Sequence, residues 1–226
     1  MAKKKGKDET IINVDEVYTK TEQFVDKNRK QLTIVLGGAA VVILAFMGYR
    51  TLIQEPANLA AEEAVFQAEH YFAIDSLDLA QYGDGFSAGL EEIMEDHSGT
   101  YAASRAAYQV GVLNRDAGLY EDAILAFDKV DLNDNVFGPM ALAGMGDCYS
   151  DLEDYTHAEE YFAKAAKAAD NGIAAKVLAP SYHYKQAVTL IELGRTEEAK
   201  EVLSHIENEH PNSRLNLSAV SLGASL

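Results

Sequence analysis

The sequence is poor in the residues that build most catalytic and metal centres. Its one cysteine, Cys148, excludes an internal disulfide and a cysteine-based metal cluster. Cys148 stands in a stretch of helical periodicity beside an apolar face, the setting of a buried structural thiol. Only four prolines interrupt 226 residues, and alanine is abundant, a balance that favours helix. No H-E-x-x-H, paired-cysteine, phosphate-loop or calcium-loop signature occurs. The adjacent carboxylates Glu62 and Glu63, Glu91 and Glu92, and Glu159 and Glu160 point about 100° apart on a helix, so they read as solvated faces rather than proton-sharing pairs. His183 and His205 fall in two helices of one hairpin and come within reach of each other. No spacing marks them, or the other four histidines, as a ligand set. The expectation is a chain with no catalytic residue, no cofactor and no metal.

Basic charge is missing from one long interval. Lys3, Lys4, Lys5, Lys7, Lys20, Lys27, Arg29 and Lys30 crowd the first thirty residues, but between Arg50 and Arg105 there is no lysine or arginine. Between the two regions runs Leu32 to Tyr49, eighteen residues without a charge. Taken over 31–53, the segment can cross a hydrocarbon core of about 30 Å. A buried core helix is disfavoured, because the rest of the chain is amphipathic and has no place for a helix apolar all round. A long charged leader and the lack of a clean small-x-small site argue for a retained anchor over a cleaved signal. The lysine and arginine bias puts the N-terminus in the cytoplasm and the large domain across the membrane. Tyr49 suits the interface, and Gly37-Gly38 would let another helix approach closely.

Residues 51–226 carry ten basic and thirty acidic side chains, a net charge of −20, against +2 for residues 1–30. Such a domain will not bind nucleic acid or an anionic membrane through bulk electrostatics.

The organisation follows from these boundaries. A tail, 1–30, contains a stretch that can form an interfacial amphipathic helix through Val17, Phe24 and Val25. The span, 31–53, continues as helix to Pro56. A leading hairpin, 54–98, has a helix at 58–75 with Ala61, Val65, Ala68 and Phe72 on one side, an irregular stretch at 76–84, and a helix at 85–97 carrying Phe86, Leu90, Ile93 and Met94. Beyond it the chain repeats. YEDAILAFDKV at 120–130, YTHAEEYFAKA at 155–165 and TEEAKEVLSHI at 196–206 superpose, with Ala123, Ala158 and Ala199 in register and Phe127, Phe162 and Leu203 four residues later. Twelve residues before each alanine stands Gly111, Gly146 or Ala187. The alanines are 35 and then 41 residues apart, a helical-hairpin period of about 34 with an insertion near 171–177. The small residue lets the second helix of each hairpin pack closely on the first, and stacking of hairpins completes the core. Turns are expected at 117–119, 153–154 and 193–195. Residues 212–226 form a cap or frayed end. The fold class is all-α: one N-terminal transmembrane helix, then three repeats over 99–211 in an α-solenoid.

These residues resemble the tetratricopeptide repeat. The second unit is closest, through Leu142, Met145-Gly146, Tyr149, Ala158, Phe162 and Ala165. The first has Asn114 where tyrosine is usual, and the third has Ala187 in place of glycine. The whole layout is also similar to the YfgM-type family of bacterial inner-membrane proteins. That resemblance implies a periplasmic repeat domain and partners among the subunits of the protein-conducting channel and a membrane-tethered periplasmic chaperone. In such repeats the first helices line a concave groove, which implies protein-binding positions at Arg105, Tyr108, Arg115, Asp147, Asp151 and Tyr184. The alternative is a scaffold that recruits envelope or division proteins with the same fold.

Overall fold

The computed structural model describes residues 14–172 and 174–226; Lys3, Lys4, Lys5 and Lys7 of the tail lie outside them. The chain forms two units, one ending at Gln54 and the other spanning Glu55–Leu226.

The first unit is helix α1 (Val14–Tyr49) followed by a π-helical turn, Arg50–Gln54. At 1.5 Å per residue α1 is about 54 Å long. No break separates tail from span, because the polar stretch before Leu32 is also helical from Val14 onward. Ile34, Val35, Leu36, Val41, Val42, Ile43, Leu44 and Phe46 are all exposed, so the apolar run covers the circumference of the helix. Phe24 and Val25 are exposed as well; the side chain of Val17 lies outside the described set. Among the described residues this is the one helical stretch long and apolar enough to cross a membrane, a character that a membrane span and a signal segment share.

The second unit opens with α2 (Glu55–Ala73), which starts three residues before the expected helix because Pro56 is tolerated in its first turn. The stretch expected to be irregular contains a short helix, α3 (Leu77–Tyr82). The helix expected from residue 85 begins later, as α4 (Leu90–Asp96). The reason is local. Asp84 Oδ1 accepts hydrogen bonds from the backbone N–H groups of Phe86 and Ser87 at 2.9 and 2.7 Å, and Oδ2 accepts from the Tyr71 hydroxyl at 2.8 Å. The turn so closed leaves Phe86 fully exposed and outside the helix that was expected to carry it.

Three hairpins follow: α5 (Tyr101–Asp116) with α6 (Tyr120–Phe127), α7 (Phe137–Asp151) with α8 (Tyr155–Asp170), and α9 (Ala175–Glu192) with α10 (Thr196–Glu209). Their turns share one geometry. Gly118, Glu153 and Gly194 occupy the left-handed region at φ 76°, 60° and 72°. The next residue's N–H then bonds five residues back, Leu119 to Asn114 at 2.8 Å, Asp154 to Tyr149 at 2.9 Å and Arg195 to Leu190 at 2.8 Å. This is the six-to-one bond of a Schellman helix end.

Each hairpin closes on the pair of residues that the repeat aligned. A β-carbon placed on Gly111 would lie 2.5 Å from the Phe127 ring, and one on Gly146 would lie 2.7 Å from Phe162. In the third hairpin Ala187 faces the smaller Leu203, and both are buried. Three buried clusters run along the unit, the first shared by α2 to α7, the second by α7 to α9 and the third by α9, α10 and a final helix, α11 (Asn216–Ser225). α11 seats on the third cluster through Ala219 and Leu222. Asn114, where the repeat pattern has tyrosine, is buried and accepts a hydrogen bond from the Gln81 side chain at 3.0 Å, which joins α3 to the first hairpin.

Candidate functional site

The first helices of the three hairpins, α5, α7 and α9, lie side by side with α7 in the middle. Each sends one charged side chain to a common group. Asp147 of α7 accepts from Arg115 Nη1 of α5 at 3.3 Å and from Lys185 Nζ of α9 at 2.6 and 2.7 Å. The carboxylate thus bridges all three hairpins from the middle. Beside it opens a cavity of about 160 Å³ lined by Tyr108, Val112, Phe127, Met140, Ala143 and Tyr182. The Tyr108 ring lies 5.8 Å from Phe127 and 5.5 Å from Phe137, within the range of aromatic contact.

The electrostatics follow from burial and from the three charges. Burial raises the phenol pKa of Tyr108, with Arg115 opposing and Asp147 reinforcing the shift. Tyr182 is raised for the same first reason. Both hydroxyls therefore stay protonated and can donate at neutral pH. Burial works against the charge on Arg115, but Asp116 and Asp147 outweigh it and hold the guanidinium above its ordinary value. The arrangement offers apolar and aromatic surface ringed by hydroxyl donors and by two cations that share one carboxylate.

Of the six residues expected to form the groove, Tyr108, Arg115 and Asp147 meet here. Asp151 is exposed one turn further along α7. Arg105 is turned toward α2 and held there, with Nε 3.0 Å from Glu69 and Nη1 and Nη2 at 2.9 and 2.8 Å from the two oxygens of Glu62. Tyr184 packs on the third cluster and lines a separate cavity of about 480 Å³ with Leu217 and Leu222 of α11.

Lys185 and Tyr182 belong to the site but carry no signal in the sequence. Lys185 takes the register held by Gly144 and Gln109 in the other two units, and Tyr182 the register of Ala141 and Ala106. Those positions read as packing or as surface. The charged and aromatic side chains at these registers belong to one repeat alone, so periodicity hides them.

A second group of polar side chains gathers between α8, α9 and α10. Asp170, the last residue of α8, accepts from or faces three imidazoles: His183 Nε2 at 2.9 Å, His210 Nε2 at 3.3 Å and His205 Nε2 at 3.7 Å. Burial lowers the pKa of His183 against the opposing pull of Asp170. His183 Nδ1 and His205 Nε2 are buried without a hydrogen-bond partner among the described residues. His183 and His205, expected to come within reach of each other, lie with their rings 4.5 Å apart. Asp170 and His210 carry no such signal in the sequence, because one stands before the insertion at 171–177 and the other beyond the last turn of α10.

With this geometry in hand, comparison with known proteins assigns the repeat. Residues 141–171 and 182–213 each match a family model described as Tetratricopeptide repeat. The two stretches fall on the second and third hairpins. The chain thus carries two stretches that match the tetratricopeptide repeat, within an all-α series of paired helices consistent with that repeat. Proteins of this class are in general non-catalytic scaffolds that bind other proteins. No curated protein matches the chain.

Proposed function

We propose that the protein is a membrane-anchored protein-binding module whose repeat domain receives a polypeptide segment on the face formed by α5, α7 and α9. The observation that carries the reading is the convergence of Tyr108, Tyr182, Arg115, Asp147 and Lys185 from the first helices of three successive hairpins beside an apolar cavity. Aromatic and arginine side chains are good anchors for a bound segment, and the cavity gives an apolar side chain somewhere to sit. The apolar helix of the first unit supplies the anchor, in keeping with a cytoplasmic N-terminus and a periplasmic repeat domain in a bacterial inner membrane. In that setting the partner is a client chain, the protein-conducting channel or a periplasmic chaperone working beside it.

The test is photo-crosslinking in native membranes, with the reactive residue at Tyr108 or at Asp151. Capture of channel subunits, a chaperone or nascent chains supports the accessory role. Recovery of one envelope-assembly or division protein at both positions, with no client, replaces it by a fixed scaffold. Crosslinks equally strong from the exposed Leu125 of α6 would remove the α5–α7–α9 face from the reading.

A further inference from the structure

We propose that Asp170, His183, His205 and His210 form a binding site for one divalent transition metal ion of the zinc class, which ties the second hairpin to the third. One candidate ligand atom from each of the four residues lies within 4.8 Å of the other three. Three of the donors are imidazole nitrogens and the fourth is a carboxylate oxygen, the nitrogen-rich set that suits zinc, copper or nickel better than calcium or magnesium.

The spacings at the carboxylate are of the size a tetrahedral site needs. With metal–nitrogen and metal–oxygen bonds of about 2.0 to 2.1 Å, neighbouring ligand atoms in such a site stand about 3.4 Å apart. His183 Nε2 and His205 Nε2 approach Asp170 Oδ2 at 2.9 and 3.7 Å, either side of that length, and His210 Nε2 approaches Oδ1 of the same carboxylate at 3.3 Å. Hydrogen bonding alone accounts for less of the arrangement. His205 Nε2 is buried and has no hydrogen-bond partner among the described residues, although it faces the carboxylate. Leaving such an atom unsatisfied is costly, and a metal ion would take its lone pair directly.

The protein around the site also favours a cation. Asp170 is the last residue of α8 and His210 directly follows the last residue of α10, so two helix C-termini, each the negative end of its dipole, bring their side chains together here. The His183 and His210 side chains are only 12% exposed, and the His183 ring lies 4.5 Å from that of His205, so little reorganisation separates the present geometry from a ligating one. The insertion near 171–177 lengthens the interval between the second and third repeats at this same point. An ion held by α8, α9 and α10 would join the elements that flank it. The site is separate from the face formed by α5, α7 and α9 and does not depend on its function.

The experiment uses the full chain in detergent, without a polyhistidine tag and stripped with a chelator. Zinc binding is followed by equilibrium dialysis, and cobalt is used as a spectroscopic probe. The expected result is one zinc per chain at micromolar concentration, an intense visible cobalt spectrum of tetrahedral type, and a rise in the thermal midpoint with added zinc. His205→Gln keeps the helical circular dichroism and lowers the affinity roughly a hundredfold or more, and Asp170→Asn does the same. If Asp170→Asn fails to fold, His205→Gln alone carries the comparison, because His205 is the most exposed of the three histidines. Absence of stoichiometric binding at micromolar zinc overturns the proposal, as does binding of unchanged affinity in folded His205→Gln.

Discussion

Gly111 and Phe127 are packed so closely that a single methyl group on the glycine would lie 2.5 Å from the aromatic ring. The same relation recurs sixteen residues apart in the next hairpin, between Gly146 and Phe162, and relaxes in the third to Ala187 and Leu203. Phe127 is further enclosed from the neighbouring hairpin, since a β-carbon on Gly144 would meet its ring at 2.6 Å. One ring therefore fills both the space within its hairpin and the space between two hairpins. Gly111→Ala must push that ring out of a fully buried site, and overpacking of this kind costs about 1 to 3 kcal/mol. We expect Gly111→Ala and Gly146→Ala to lower the unfolding free energy, read from the denaturant midpoint and slope, by amounts in that range. Ala187→Gly, which opens a small void and adds backbone freedom, should cost about 1 kcal/mol. Equal tolerance of alanine at 111 and at Gly223, where a β-carbon would meet nothing closer than 3.8 Å, would show that the rings move freely and that the hairpins are not closed by this contact.

This relation explains how much of the fold was legible. A glycine or alanine spaced sixteen residues from a phenylalanine or leucine is a volume constraint, and volume constraints recur with the repeat. The three turns were legible for the same reason, through Gly118, Gly194 and the aligned Glu153. Asp84 acted differently. Its hydrogen bonds to Phe86 and Ser87 delay α4 until Leu90, and nothing periodic announces a side chain that caps a turn once. The candidate face was half legible: Tyr108, Arg115 and Asp147 stand where first helices expose their side chains, whereas Lys185 and Tyr182 take registers that hold Gly144 and Gln109 or Ala141 and Ala106 in the other units. Arg105 has the right register but finds two glutamates on α2, a partner that lies outside the three aligned units.

Arg105 gives a pH-dependent prediction. Its hydrogen bonds to Glu62 hold that carboxyl below its ordinary value of 4.5. The folded value lies below the unfolded one, so the contact stabilises fully above the unfolded value and is lost as pH falls through the folded one. Glu62 is nearly half exposed, which limits the effect to about 1 kcal/mol or less for that pair. Arg105→Ala should therefore lower the thermal midpoint at neutral pH, and the gap to the wild type should narrow as the pH drops below about 4. A gap that stays constant down to that pH would assign the loss to packing of the arginine stem instead.

Asp147 holds two cations that would otherwise face each other. Asp147→Asn removes the charge that Arg115 and Lys185 share while keeping the shape, and with all three groups partly exposed the expected cost is about 1 kcal/mol. The double variant Asp147→Asn with Lys185→Gln removes one of the two facing cations, so it should recover part of that loss. Urea unfolding of the single and double variants measures the coupling, and simple additivity would mean that the three side chains do not act as one group.

Glu153 occupies a left-handed conformation that its equivalents, Gly118 and Gly194, fill without strain. A residue with a β-carbon is disfavoured there by about 1 to 2 kcal/mol, partly offset by the lower entropy of its unfolded state. Glu153 is exposed, so nothing else is lost on its replacement. Glu153→Gly should raise stability by about 0.5 to 1 kcal/mol, measured as a shift in the urea midpoint at unchanged slope.

Cys148 lies one residue after Asp147 and is fully buried. Burial pushes its thiol up to about 12, against Arg115 and with the aid of Asp147 and Asp151. The nucleophile in alkylation is the thiolate, and at neutral pH this thiol supplies almost none of it. Labelling of the native protein by iodoacetamide should be at least about a hundredfold slower than labelling in urea, where the thiol returns to an ordinary value near 8.5. The residual native rate should then track opening of the second hairpin, since a reagent reaches Cys148 only when α7 leaves its neighbours. Gly146→Ala, which strains the same helix against Phe162, should raise that rate while Glu153→Gly lowers it. Fast native labelling unaffected by either substitution would show that the thiol is reached without opening the hairpin, and would remove Cys148 from the core.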